Sequence, residues 1–366
     1  MGDGVDIRDQ FDITENYTYL NTAATSPLPR YVVSEVESFL DSHARYAEGA
    51  WDLWVEKVNL ARARCAALIG CRPEEVSFLK NTGEGLNTIC SMLPGKGNVV
   101  TTNMEFPSNF LPWRRKYADL RVVDLGAGEV SPDDFERLID DDTEAVSFSE
   151  ITYRTGARLP TREISEIAHE HGAIVVSDAV QALGAVRVDV GELGIDVLCC
   201  GSHKWLMSPF GVGMFHISLE LMDRYDPPFI GWFSLEDDED FSLGNTRLAS
   251  SARRFEIGNL NYPGIMGLSR SVEVMMGRGT DVIDDEVTIL SEYLMERLQD
   301  NGYGVVTPNG AHGGIVSFRA KDPDTLVKRL LKERIVVSCR GDVRVSTHFW
   351  NNKDDIDTLI DALGGA

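Results

Sequence analysis

Short apolar runs alternate with amphipathic, helix-forming stretches along this chain from about residue 60 to residue 215. A short apolar run bounded by glycine, proline or polar residues is typical of a buried strand, and the stretches between the runs have helical periodicity. The predicted strands are Glu75–Leu79, Asn98–Thr102, Arg121–Asp124, Ala145–Ser149, Ala173–Ser177, Val197–Cys200 and Gly211–Ile217. This alternation predicts an α/β fold of three layers, with a large, mostly parallel sheet between helices.

Helix signals fall between these strands. Ser131 followed by Pro132 and two aspartates indicates a helix start, because serine caps free N–H groups and acids favour the positive end of the helix dipole. We predict helices at Ser131–Asp140 and Thr161–His171. Active sites on such sheets lie at the carboxyl ends of the strands, so residues just after a strand are the first candidates for chemistry.

The pattern changes beyond residue 260. An acidic, turn-rich segment at Leu235–Gly244 is predicted to be a loop. The elements predicted after it are a long helix at Ile265–Asp300, strands at Gly313–Arg319 and Ile335–Ser338, and a helix at Pro323–Glu333. We therefore predict a large domain over residues 20–260 and a smaller C-terminal α/β domain formed by residues 1–19 and 261–366.

Charge is the most unusual feature of the composition. The chain of 366 residues has 58 acidic against 35 basic side chains, a net charge of −23, and lysine is scarce, with 9 lysines against 26 arginines. An excess of carboxylates suits a cytosol at very high salt, where screening removes self-repulsion; an ordinary acidic enzyme is the alternative. Because no basic stripe is present, nucleic-acid binding is not expected.

The cysteines and the apolar runs indicate where the protein is located and which sites it lacks. Six cysteines show no CxxC pair and no histidines at zinc spacing, so neither a disulfide framework nor a metal site is expected. No apolar run has the length of a membrane span, and Met1–Asp12 lacks the order of a secretion signal. We expect a cytoplasmic protein without membrane contact.

Lys204 follows the apolar strand Val197–Cys200 directly, within the segment Gly201–Trp205. A lysine at the end of a buried strand is unusual, because an ammonium is costly to bury without a partner. Such a lysine serves as a nucleophile when its pKa is lowered or when it forms a Schiff base. The alternative is a lysine whose head reaches solvent.

Asp178 ends the neighbouring predicted strand, and Gln181 follows it by one helical turn. A carboxylate at this place can keep a ring nitrogen protonated, so that an aromatic ring acts as an electron sink. The alternative is a helix-capping aspartate. The pairing of Asp178 with Lys204, one βα unit later, favours the chemical interpretation.

Two further strand ends complete the pattern. At Asn81–Asn87 a strand runs into a helix start, where the backbone amides of Thr82 and Gly83 could meet a phosphate; a simple capped helix is the alternative. Phe106 follows the strand Asn98–Thr102, where an aromatic side chain could stack on a flat ring or belong to the core.

In this order, the lysine, aspartate, glutamine, phosphate loop and aromatic residue resemble the class V aminotransferase family of fold-type I pyridoxal-phosphate enzymes. The resemblance begins at Tyr19–Pro27, which looks like the family's N-terminal stretch entering the active site, and ends at Val343–Asn351, which looks like its terminal signature. It implies pyridoxal 5′-phosphate as the cofactor and an amino acid as the substrate.

The resemblance also implies a role for each matching residue. Lys204 would carry the cofactor as a Schiff base, and Asp178 would face the pyridine nitrogen. The other cofactor contacts would be Thr82, Gly83, Phe106, Tyr153, Gln181, Ser202 and His203, with Arg344 and Asn21 binding the substrate. Asn259 stands where the family has a threonine that reaches the phosphate of the neighbouring subunit, so a homodimer is implied.

The reaction within the family is less defined. Glu105–Ser108 and the Lys204–Trp205 pair resemble the cysteine desulfurase-like, isopenicillin N epimerase-like subgroup. Phe106 replaces the histidine common in desulfurases, Ile335–Arg344 lacks room for a long cysteine-bearing loop, and Cys339 is expected to pack. We favour an aminotransferase-type enzyme; a cysteine desulfurase or other C–S lyase, an epimerase, and an inactive binding protein remain open.

Overall fold

The computed structural model describes residues 6–126 and 130–364. Two predictions lie partly outside the described residues. One is that Met1–Asp12 lacks the order of a secretion signal, and the other is where the small domain begins and ends. The strands are β1 Thr18–Tyr19, β2 Val76–Leu79, β3 Asn98–Thr102, β4 Leu120–Val123, β5 Thr143–Ser149, β6 Ile174–Asp178, β7 Val197–Gly201, β8 Gly213–Ile217, β9 Ile315–Phe318, β10 Ile335–Val336, β11 Ser338–Cys339 and β12 Val343–Ser346.

Twelve α-helices accompany these strands in the described residues. They are α1 Arg30–Tyr46, α2 Trp51–Leu68, α3 Thr82–Met92, α4 Pro107–Lys116, α5 Pro132–Glu136, α6 Thr161–Glu170, α7 Val190–Leu193, α8 Leu219–Arg224, α9 Tyr262–Arg278, α10 Thr280–Asp300, α11 Pro323–Lys332 and α12 Lys353–Gly364.

Seven strands form the main sheet in the order β2-β8-β7-β6-β5-β3-β4. All neighbours are parallel except β8, which runs antiparallel to both β2 and β7. The predicted α/β fold with a large, mostly parallel sheet is therefore confirmed. The carboxyl ends of β3, β5, β6 and β7 meet at one edge, which is where such sheets place their sites.

Two helix predictions need correction, and two helices were missed. The single helix at Ile265–Asp300 is wrong, because the chain breaks at Gly279, whose φ of 97° lies outside helical geometry, and continues as α10. The helix at Ser131–Asp140 is much shorter, Pro132–Glu136, although Ser131 does cap it. The helices α1 and α2, which both pack on α9, were not predicted.

The predicted strand Ile335–Ser338 is two short strands with different partners. β10 pairs in parallel with β1, whereas β11 pairs antiparallel with β12. Because β12 also pairs with β9, these strands form a separate three-stranded sheet. The switch brings the N-terminal stretch at Tyr19 next to the C-terminal unit.

The buried side chains explain this arrangement. One cluster contains Leu20, Leu294, Phe318, Val345 and Ile360, and it joins the three-stranded sheet to α10, α11 and α12. The largest cluster crosses the predicted domain boundary, from Phe11 through the main sheet to Trp350. The division at residues 19–20 and 260–261 remains a prediction.

Among residues 6–126 and 130–364, no helix combines the length and the apolar character that crossing a membrane requires.

Candidate active site

Asp178 is the last residue of β6 and is 2% exposed. Its Oδ1 accepts a hydrogen bond from the backbone N–H of Val180 at 3.1 Å. Burial raises the pKa of Asp178, the nearby Glu105 and Glu150 raise it further, and the positive charge of Lys204 acts against them. A buried carboxyl group with one hydrogen bond would be stabilised as an anion by a cation against it, such as a protonated ring nitrogen.

Lys204 lies three residues after β7, facing the same site. Burial lowers the pKa of its amine; Asp178 partly offsets this, and the charges of Arg344 and Arg340 add to the lowering. The lysine ion pairs of the described residues belong to Lys57 and Lys80, so the Lys204 amine has none there. A desolvated amine of lowered pKa is the form that attacks an aldehyde.

The start of α3 forms a donor cradle. Asn81 caps the helix through its Oδ1, which accepts from the Glu84 N–H at 2.9 Å. The N–H groups of Thr82 and Gly83 point out of the first turn, and neither has an acceptor within residues 6–126 or 130–364. The Thr82 hydroxyl accepts from the Gly201 N–H at 2.8 Å, which ties the cradle to the end of β7. Free donors at a helix N-terminus suit a phosphate.

Ser202 and His203, both predicted to hold the phosphate, occupy different surroundings. The Ser202 hydroxyl is fully buried and donates to the Val212 carbonyl at 2.8 Å. The His203 ring lines one cavity together with Asn81 and Asn259. Burial lowers the pKa of His203 to about 4, with a smaller contribution from Lys204, so its ring is neutral at pH 7.

Gln181 is held from both sides. Its Oε1 accepts from the indole N–H of Trp205 at 2.8 Å, and its Nε2 donates to the Ala23 carbonyl at 3.1 Å. An indole N–H is only a donor, so it selects the carbonyl end of the amide, and one amide N–H is left for another acceptor. A phenolic oxygen of the cofactor would fit that donor.

Two aromatic residues stand above the lysine. The Phe106 ring is 44% exposed, which excludes the core alternative, and its centroid lies 5.8 Å from the Lys204 Nζ. The Tyr153 ring meets it edge to face, with centroids 5.4 Å apart. Phe106 and Tyr153 therefore lie together beside Lys204, and their roles against the cofactor ring and its edge stay predictions.

Arg344 is 2% exposed and has only neutral partners. Its Nε donates to the Ser338 hydroxyl at 3.2 Å, and one Nη donates to the Tyr153 carbonyl at 2.8 Å. Burial lowers the pKa of Arg344 to about 10. The Asn21 Oδ1 is buried without a hydrogen-bond partner in the described part of the chain. A buried guanidinium without a carboxylate is suited to bind one from a ligand.

Cys339, Cys199 and Cys200 lie near the residues of the site, but none of them is placed there as a reactive thiolate. Ser338 is paired with Arg344, and Cys339 with Val343, in the β11–β12 ladder. Because opposite residues share a face and successive residues alternate, Cys339 projects on the side away from the Arg344 guanidinium. Cys199 and Cys200 are fully buried, and burial raises the pKa of both thiols well above the usual range.

Three residues to which the sequence analysis gave no role in the site support it. Trp205 orients Gln181, whereas Glu105 and Glu150 are buried at the ends of β3 and β5 beside Asp178. Glu105 receives four hydrogen bonds, from Thr102, Asn109 and Ser149. The only sequence signal for them was their place just after strands.

These residues fit pyridoxal 5′-phosphate. The free donors of the cradle suit a phosphate, the unpaired Lys204 amine suits an aldehyde, and the under-solvated Asp178 suits a pyridinium. All three converge on one edge of the sheet, in the order that the sequence predicted.

Known proteins resemble this chain over nearly its whole length. A family model described as aminotransferase class-V matches residues 18–359. The chain is 30% identical to a probable cysteine desulfurase of Methanothermobacter thermautotrophicus, covering 98% of this chain and 96% of the relative. It is 27% identical to the isopenicillin N epimerase of Amycolatopsis lactamdurans, covering 97% and 96%.

A solved structure has the same fold. That structure is a variant of C-DES with glycine covalently linked to its pyridoxal-phosphate cofactor, and it superposes with a TM-score of 0.90 at 21% identity, covering 97% of this chain and 98% of that one. The resemblance to the desulfurase-like and epimerase-like subgroup is confirmed. The predicted aminotransferase activity is not specifically confirmed: one relative, YcbU of Bacillus subtilis, is named an uncharacterized aminotransferase and is 27% identical, covering 97% of this chain and 96% of the relative. The chain belongs to the class V aminotransferase family, and it is an enzyme with pyridoxal 5′-phosphate as its cofactor.

Proposed function

We propose that this enzyme is a C–S lyase that removes sulfur from cysteine or a cysteine disulfide by β-elimination. The observation that carries the proposal is a buried lysine and a buried arginine at one site, neither with an ion pair in the described residues, where Cys339 projects away from the arginine and burial disfavours the thiolates of Cys199 and Cys200. We prefer this alternative to the aminotransferase predicted from the sequence because two relatives are named probable cysteine desulfurases, enzymes that break the C–S bond of cysteine, although a third is named an uncharacterized aminotransferase.

Different residues would bind different parts of the cofactor. Thr82 and Gly83 would hold the phosphate, Gln181 the phenolic oxygen and Asp178 the ring nitrogen, with Phe106 against the ring. When bound, pyridoxal 5′-phosphate supplies an electron sink for negative charge at the substrate Cα.

Arg344 would orient the substrate. Its guanidinium takes the α-carboxylate as a two-point contact, while the Ser338 hydroxyl and the Tyr153 carbonyl hold its plane. Asn21, whose Oδ1 lacks a partner in the described residues, would accept from the substrate amine.

Lys204 would move the proton. Its lowered pKa leaves a larger neutral fraction at neutral pH, and the free Nζ accepts the proton from Cα. The Cβ–S bond then breaks, with its electron pair leaving on sulfur. The three-carbon fragment takes up water and ends as pyruvate and ammonia.

The positions and protonation of the cysteine thiols near the site distinguish a lyase from a desulfurase. A desulfurase takes sulfur onto its own cysteine, which requires a thiolate close to the substrate. Cys339 projects away from Arg344, and burial disfavours the thiolates of Cys199 and Cys200. Sulfur would therefore leave in the product.

We also propose a homodimer in the cytoplasm. Phe210 and Ile257 are 69% and 47% exposed and lie, with Asn259, along the cavity at the cradle. Exposed apolar side chains around a site are typical of an interface. Sedimentation of the purified protein should give twice the monomer mass of 40.5 kDa.

The activity test follows the products. Holoenzyme incubated with L-cysteine or L-cystine should give pyruvate and ammonia in equal amounts, with sulfide or cysteine persulfide. Lys204→Ala should abolish both pyruvate and the visible absorption band of the lysine-bound cofactor. Cys339→Ser should leave the rate within about twofold, because this thiol has no step.

Other products would reject the proposal. Alanine with sulfur on the enzyme, lost in Cys339→Ser, would mean a desulfurase. Pyruvate-free conversion that depends on a keto acid would mean an aminotransferase, and accumulation of the D-amino acid would mean an epimerase.

A further inference from the structure

Three arginines gather at the mouth of the site. Arg340 is in the turn between β11 and β12, Arg344 follows it in β12, and Arg154 lies against the same turn. The Arg154 Nε donates to the Arg340 carbonyl at 3.3 Å, and a Cβ added to Gly341 would lie 2.9 Å from an Arg154 Nη. Arg344 contacts the residue before Arg154, through the Tyr153 carbonyl.

No carboxylate neutralises this group. Most arginines of this acidic chain have ion pairs, but no ion pair involves Arg154, Arg340 or Arg344 in the part of the chain that the structure describes. Asp342 lies in the same turn and is joined to Arg340 only through its backbone carbonyl. Three unpaired cations on a protein with a net charge of −23 form a local positive field.

Two of these charges have no assigned partner in the reaction. Arg344 is buried and accounts for the α-carboxylate, whereas Arg340 and Arg154 are exposed at the entrance. The Arg340 charge reaches the reacting groups, because it lowers the pKa of both Lys204 and Arg344, in each case after the larger effect of burial. Positive charges this close together destabilise one another unless an anion binds between them.

We propose that Arg340, flanked by Arg154, binds a second anionic group at the far end of the substrate. The inference rests on the proposed lyase function and narrows its substrate to an amino acid with two acidic groups. Among cysteine derivatives, L-cystine meets this requirement, because its distal half has its own carboxylate.

The step balances with cystine. The Cα proton passes to Lys204 Nζ, the Cβ–S bond breaks with its electron pair on sulfur, and the distal half leaves as cysteine persulfide. Water converts the remaining fragment into pyruvate and ammonia. No oxidant or reductant is needed, because the disulfide sulfur leaves at its original oxidation level. Arg340 would hold the carboxylate of the leaving half.

The test compares two disulfides that differ in one group. L-cystine and the mixed disulfide of L-cysteine with cysteamine share the reacting half and the distal amine, but the second lacks the distal carboxylate. The holoenzyme should have about fivefold higher kcat/KM for cystine, as an exposed ion pair allows. Arg340→Gln should remove this preference and leave the rate with the mixed disulfide within about twofold.

Arg72→Gln is the matched control. Arg72 is also exposed and has no ion pair in the described residues, but it precedes β2 at the opposite edge of the sheet. Its variant has the same change in charge and should keep the preference. An equal loss with both disulfides in Arg340→Gln, or no preference in the unmodified enzyme, would overturn the proposal.

Binding separates this inference from the proposed function. By calorimetry on the holoenzyme, the tightest of succinate, glutarate and adipate should bind about fivefold more strongly than butyrate, and Arg340→Gln should abolish the difference. If that difference in affinity appears but no disulfide gives pyruvate, the proposed anion site is supported and the proposed lyase function is refuted. If pyruvate forms but neither preference appears, the anion site fails.

Discussion

The orientation of the Gln181 amide depends on a single hydrogen bond. The Trp205 indole can only donate, so the Gln181 oxygen must face it, and the amide nitrogen is then directed to the Ala23 carbonyl and the cofactor side. Both side chains are buried. Trp205 is therefore a positioning residue that acts on the cofactor through Gln181.

Trp205→Phe should weaken the site without removing a group that contacts the cofactor. The Gln181 oxygen would lose its donor, which costs about 1–3 kcal/mol for a buried group. We expect a lower unfolding temperature and a shifted pH titration of the visible cofactor band. Trp350→Phe is the control, because its buried indole N–H has no partner in the described residues and no bond to lose. Equal spectra in both variants would contradict the positioning role.

His348 makes stability depend on pH. Its Nε2 lies 2.9 Å from the Trp205 carbonyl, its Nδ1 accepts from the Phe349 N–H, and burial lowers its pKa to about 4. The unfolded chain binds a proton near the ordinary histidine value of about 6.5. Folding is therefore favoured most above pH 6.5, and the contribution of His348 decreases as the pH falls toward 4.

His348→Asn should consequently destabilise most at pH 7 and progressively less toward pH 4, as measured by urea unfolding. His169→Asn should have the opposite slope. The hydrogen bond that protonated His169 donates to the Asp196 carboxylate raises the pKa of His169, so its contribution is present at low pH and is lost as the pH rises. Parallel curves for the two variants would refute the assignment.

At the scale of elements, α3 depends on its close approach to the sheet. A Cβ on Gly85 would lie 2.7 Å from the Cys199 Sγ and 3.1 Å from the Phe215 ring. This contact sets the distance between the start of α3 and β7, and hence the cradle at Thr82. The glycine acts by its small size, because its backbone is helical.

Gly85→Ala should therefore destabilise by about 1–3 kcal/mol through overpacking. It should also weaken retention of the cofactor in dialysis, because the cradle moves with the helix. Gly277→Ala is the control: that glycine is also helical, and nothing lies within 4 Å of its added Cβ. The control should be neutral or stabilising. Unchanged stability in Gly85→Ala would show that α3 can shift freely.

At the scale of the whole molecule, the net charge makes stability depend on salt. With a net charge of −23, the acidic side chains repel one another at low salt, because the screening length is about 30 Å at 0.01 M salt. At 1 M salt the screening length is about 3 Å, and most of this repulsion is removed. Salt adaptation remains a prediction from the composition.

Removal of salt tests that prediction. Circular dichroism should show loss of structure when the protein is dialysed from 2 M KCl into dilute buffer, and its return when salt is restored. A non-ionic osmolyte should not replace the salt, because it does not screen charge. Full activity in dilute buffer would contradict salt adaptation.

Local patterns predicted the main sheet well. The strand β3 was predicted with both ends correct, and the other strands of the sheet were predicted within two residues. Burial and strand periodicity are recorded residue by residue, so they are visible in the chain. The break at Gly279, the partner switch at Val337 and the α1–α2 pair were missed, because each depends on what the segment packs against.

The same distinction holds for the site. Lys204 and Asp178 could be recognised from the amino-acid order, because a polar residue placed directly after a buried strand has to lie at the sheet edge, whatever surrounds it. The gathering of Arg154, Arg340 and Arg344, the hold of Trp205 on Gln181 and the outward face of Cys339 required the folded chain. Those features are contacts between residues far apart in sequence, and their geometry is set by strand pairing and packing that no local pattern contains.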